Sequence, residues 1–98
     1  MPDNENELMT EFHSANPDTA YEEIVRLHKQ LLTVYAYEIT INEAVAGVIV
    51  DSTFEKMKLM RHAFKTFSDV RSFLYVTVRN ECYDHNRYTF NMNTANSN

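Results

Sequence analysis

The chain has 98 residues, 44% of them hydrophobic, and a net charge of −5. That length forms one domain burying only about 60 to 65% of its unfolded surface, with room for three or four helices. One glycine and two prolines, both prolines within the first 17 residues, supply almost no hairpin turns and exclude a fold of many short strands. The longest apolar runs, such as residues 45–50, fall far short of the roughly 20 residues of a membrane span. The opening MPDNENELMTEF is acidic where an export signal would be basic and then apolar. The lone Cys82 has neither a disulfide partner nor zinc-ligand spacing around it, and a cytoplasmic location away from membranes is expected.

Charge is unevenly spread. Residues 1–23 hold seven acidic side chains and no lysine or arginine, whereas residues 54–87 hold seven basic against four acidic. The asymmetry permits contact with nucleic acid but is too mild to drive it by bulk charge alone.

In chain order, residues 1–15 read as a flexible acidic arm in which Leu8, Met9 and Phe12 offer at most a short amphipathic turn. Asn16, Pro17 and Asp18 then form a helix start, with Asn16 as cap and Pro17 in the first helical position. That helix runs to about Glu38, with Tyr21, Ile24, Val25, Leu27, Leu31, Leu32, Val34 and Tyr35 spaced to face a core. Residues 39–41 read as a loop. Asn42 caps a second helix reaching Arg61 or Ala63, with Val45, Ile49, Val50, Thr53, Phe54, Met57 and Met60 inward. Gly47 costs that helix about 1 kcal/mol relative to alanine, acceptable where it permits close packing. After a connector over residues 64–67, Ser68 or Asp69 caps a third helix to about Asn86, with Val70, Phe73, Leu74, Thr77, Val78 and Cys82 at helical spacing. Residues 88–98, uncharged and rich in asparagine, read as a flexible tail. The fold class is a compact all-α domain over residues 16–87.

The third helix carries the most specific pattern. Residues 70–87, VRSFLYVTVRNECYDHNR, resemble the signature of extracytoplasmic-function (ECF) sigma factors, region 2, in the variant abundant in Bacteroidetes. Residues 46–58, AGVIVDSTFEKMK, are similar to the helix of that family that docks on polymerase: Ile49, Val50, Phe54 and Lys56 fit its pattern. Val48 stands where the family carries an acid, Asp51 where it carries Gln and Lys58 where it carries Trp.

The resemblance implies a domain for transcription initiation whose partners are core RNA polymerase, through its β′ clamp helices, and the unpaired non-template strand of the promoter minus-ten element. Polymerase contact then falls on Val48, Asp51, Ser52 and Glu55. Holding unpaired bases takes cations for phosphates, flat groups for stacking, and amides or hydroxyls for base edges. Lys65, Arg71, Arg79 and Arg87 supply the first; Phe64, Phe67 and Tyr75 the second; Thr66, Ser68, Ser72 and Asn80 the third. Phe64 and Phe67 fit better as packing residues than as stacking rings, Asp84 fits equally as an ion-pair partner of Arg87 or a lysine, and Cys82 reads as a small buried hydrophobe rather than a nucleophile. The family also carries a C-terminal helix-turn-helix, absent before Asn98, so an excised or truncated domain is expected ahead of the alternative, a stand-alone relative.

A different class of function is an interaction module that keeps the fold, binds a protein such as an anti-sigma factor and no longer reads DNA. The departures at Val48, Asp51 and Lys58 favour it. No nucleophile with its base, phosphate loop or ligand-spaced histidine can be assembled, so neither catalysis nor a metal or cofactor is expected.

Overall fold

The structure, a computed structural model, describes residues 4–96, with side-chain burial defined through residue 92. The elements are α1 (Glu5–Phe12), α2 (Asp18–Thr40), α3 (Glu43–Leu59), a single 3-10 turn (Arg61–Ala63) and α4 (Phe67–Asn96), with no strand among the described residues. The all-α class is as expected.

The three long helices form one bundle. His28 and Tyr35 of α2 meet Phe67 and Tyr75 of α4, and further along Ala36 and Ile39 meet Cys82 and Asn86. Both helices therefore run in the same direction. Between them α3 returns antiparallel, since Asp18 and Lys29 of α2 pair with Lys58 and Asp51 of α3.

The core is a stripe from each helix: Ala20, Ile24, His28, Leu32 and Ala36 of α2; Ala46, Val50, Thr53, Phe54 and Met57 of α3; Val70, Leu74, Val78 and Cys82 of α4. Buried alanines on α2 and α3 let the helices approach closely. The two buried polar groups turn back on their own helices: His28 Nδ1 lies 2.9 Å from the Ile24 carbonyl, and the Thr53 hydroxyl donates to the Ile49 carbonyl at 2.8 Å. Cys82 is a buried free thiol, as the spacing suggested, and burial, with Glu81 beside it, pushes its pKa up.

Several sequence expectations are corrected. The supposed arm contains α1, capped by the Asn4 side chain accepting from the Glu7 amide, and Leu8, Met9 and Phe12 are all buried. Their spacing of one, three and four covers one side of a two-turn helix, enough to dock it despite its acidity. Residues 1–3 of that arm, and residues 97–98 of the supposed tail, lie outside the described residues. From Tyr88 to residue 96 the chain continues α4 as helix, with Tyr88, Phe90 and Met92 exposed.

At the α2 start, Pro17 is the cap position and Asn16 makes no side-chain cap. Leu27, Leu31 and Val34 face solvent, because Ala20, His28 and Ala36 take the inward positions. Helix α2 continues through Thr40 and ends on Ile41, a β-branched residue held in the left-handed region at φ 50°. That conformation disfavours side chains branched at Cβ, so nothing in the residue type announces it. Asn42 does cap α3, accepting from the Val45 amide at 3.0 Å. Met60 is exposed beyond the end of α3, and a Cβ at Gly47 would meet nothing within 4 Å, so close packing does not account for the glycine.

The α4 cap also differs. Thr66 Oγ1 accepts from the Asp69 amide at 3.2 Å while the Asp69 carboxylate accepts from the Thr66 amide at 3.2 Å and the Lys65 amide at 3.1 Å. This reciprocal capping box, which contributes on the order of 1 kcal/mol, fixes the connector's entry into α4.

Candidate functional site

The connector between α3 and α4 is short and well held. After the 3-10 turn, Phe64 and Phe67 plug into the core, their rings against Phe73 and His28 respectively. His13 Nε2, at the end of α1, lies 2.7 Å from the Phe64 carbonyl oxygen. Both phenylalanines are therefore packing residues here, and their nomination as stacking rings is corrected. Thr66 is likewise occupied as the α4 cap, which explains its place in the sequence without a base contact.

The other nominated residues divide between two faces. Ser68, Ser72, Arg79, Asn80 and Arg87 stand exposed on the outward side of α4, where residues four and seven apart share a face. From Ser68 to Arg79 that side runs about 16 Å at 1.5 Å per residue. Arg71 turns toward α1 and Tyr75 toward α2 instead. The Tyr75 ring packs half-buried against Tyr35, and the Arg71 guanidinium lies over the Phe67 ring at 5.2 Å and within 3.3 Å of the Glu5 carboxylate.

Ion pairing decides which cations can meet a phosphate. Six of the nine basic side chains have carboxylate partners: Arg26 with Glu23, Lys29 with Asp51, Lys56 with Glu81, Lys58 with Asp18, Arg71 with Glu5 and Arg87 with Asp84. Arg61, Lys65 and Arg79 have none among the described residues. Two of those three sit in or beside the connector, and the third is on the outward side of α4. Arg61 escaped the sequence reading, although a basic residue just before a nominated loop was visible there. Its Nη1 donates to the Lys58 carbonyl at 3.4 Å, while its buried Nε has no protein partner.

Tyr83 was also missed. Its ring is half exposed, four residues after Arg79 and four before Arg87, on the side of α4 where the nominated phenylalanines provide no free ring. The signal was the i, i+4 spacing, hidden because stacking groups were sought around the loop.

The four residues nominated for polymerase also separate. Val48 and Ser52 line an open apolar groove of about 620 Å³ between the start of α3 and the second half of α4, with Ala44, Val45, Ile49 and Tyr88 as its floor and walls. Glu81, Asp84 and His85 also line it. Asp51 and Glu55 face the α2 side beside Tyr21 and Val25, and Asp51 is 3.7 Å from Lys29. A partner helix lying along α3 would meet an apolar edge on one flank and a charged edge on the other.

No helix among the described residues is long and apolar enough to cross a membrane, and no cluster of three or more His, Cys, Asp or Glu side chains there could hold a metal ion. Comparison with known proteins gave no matching family model, no matching curated protein and no matching solved structure.

Proposed function

We propose that this chain is a cytoplasmic sigma region 2-like domain that acts by binding rather than catalysis, docking on core RNA polymerase along α3 and holding unpaired minus-ten bases beside α4. The observation that carries the reading is the placement of the unpaired cations: Arg61 and Lys65 in the connector and Arg79 on the outward side of α4, the side on which Ser68, Ser72 and Asn80 are exposed. Cations free of carboxylates can exchange water for phosphate without first breaking an ion pair, and hydroxyls and amides alongside can meet base edges.

The roles are separable by experiment. Binding of fluorescent single-stranded oligonucleotides, varied one base at a time and measured with core polymerase present, should change its base preference in Ser68→Ala and Asn80→Ala. Each should cost about 1 kcal/mol or more at the base it reads. An identical base preference in wild type and both variants would remove direct base reading from the proposal.

A second reading rests on the α3/α4 groove. Val48 is 68% exposed at its edge, and a branched apolar side chain so placed suits a protein partner. An interaction module bound by an anti-sigma-like helix would use this groove and leave Arg79 unused.

A further inference from the structure

Helix α1 bears directly on the residues nominated for nucleic acid. Glu5, Leu8, Leu27, His28 and Phe67 line one cleft of about 390 Å³ where α1 crosses α2 and the start of α4. At its mouth the Glu5 carboxylate sits 3.3 Å from Arg71, and at the other end of α1 His13 engages the Phe64 carbonyl. Arg71, the one of these still available to nucleic acid, and the packing residues Phe64 and Phe67 beside it are thus touched or covered by a single acidic helix that also carries Glu7 and Glu11.

We propose that α1 is an autoinhibitory segment, with the Glu5 carboxylate occupying on Arg71 the place a strand phosphate would take. The inference rests on the nucleic-acid reading above and adds its regulation. A carboxylate and a phosphate offer a guanidinium the same paired oxygen acceptors, so the two compete for one cation. Arg71 is already oriented by the Phe67 ring beneath it, and removing Glu5 leaves its half-exposed guanidinium without a carboxylate partner. The rest of α1 need not leave. Its buried residues hold the helix in place, and only the exposed ion pair has to open, a change that costs little in water.

The test uses the full chain and a fluorescent 20-nucleotide oligo-dT strand, comparing wild type with Glu5→Gln and with Glu38→Gln. The last removes the same charge at the opposite end of α2. Glu5→Gln is expected to tighten binding by about two- to fivefold and to steepen the dependence of log affinity on log salt by about 0.7, one phosphate's share on a single strand. Glu38→Gln is expected to leave the slope unchanged, and Arg71→Ala to abolish the gain in the Glu5→Gln background. Binding by wild type with Glu5→Gln indistinguishable from Glu38→Gln would overturn the autoinhibition while leaving the nucleic-acid reading intact. Binding by none of the proteins, with or without core polymerase, would overturn that reading and this inference with it.

Discussion

Phe12→Ala is expected to destabilise the domain by about 3 to 5 kcal/mol, the usual cost of emptying a buried aromatic site. Phe12 is fully buried, and with Leu8 and Met9 it makes the buried apolar attachment of α1 to the bundle. Alanine there leaves a cavity that a two-turn helix cannot close, because too few other contacts remain to pull it inward. For a domain of this size the midpoint of thermal unfolding, followed by far-ultraviolet circular dichroism, should fall by more than about 12 °C. Leu31→Ala is the informative contrast. Leu31 is 64% exposed, so its truncation should stay within about 0.5 kcal/mol. Near-equal melting of Phe12→Ala and wild type would mean that α1 is not part of the folded core.

The second large effect concerns the unpaired cations. Replacing Lys65 and Arg79 together by alanine should remove about two phosphate contacts, about 1.4 from the salt slope on single-stranded DNA. Between 50 and 200 mM salt, the loss of affinity in the double variant should then be about sevenfold smaller than in wild type. The reduction should be nearly the same for every oligonucleotide sequence, since a cation meets a phosphate common to all nucleotides. Lys29→Ala and Lys56→Ala serve as comparison, their ammonium groups being held by Asp51 and Glu81. An equal change of slope in both pairs would show that only net charge matters, and that the face of α4 has no special part.

Much of the architecture was legible in residue spacing, and the misses have identifiable causes. The α4 stripe of Val70, Leu74, Val78 and Cys82 stood out because its apolar residues recur at an unbroken spacing of four. On α2 the competition was severe. Leu27, Leu31 and Val34 have the same spacing as the inward residues, and what turned the helix was the small size of Ala20 and Ala36, which a ranking by hydrophobicity passes over. Helix α1 was hidden by its acids, although three apolar residues on eight positions suffice when a bundle stands ready to receive them.

The candidate site was readable to a lesser degree. Residue type pointed to Lys65, Arg79, Ser68, Ser72 and Asn80, and the structure leaves all five exposed. What residue type could not convey was occupancy: Thr66 is engaged in a cap, Phe64 and Phe67 in the core, and Arg71 by a carboxylate 66 residues away in the chain. Those are tertiary facts. They extend the proposed contact surface from the connector's cations along the outward side of α4, where Tyr83 offers the exposed ring.

The central claim is that this domain joins RNA polymerase, and retention on core enzyme tests it most directly. Purified core polymerase, immobilised at physiological salt, should retain the 98-residue chain. Val48→Glu, which places a charge at the apolar edge of α3, should lower that retention, and Leu31→Ala on the opposite exposed face of α2 should not. Retention of the chain at background level on core polymerase, in a preparation that still binds a known sigma factor, would contradict the account.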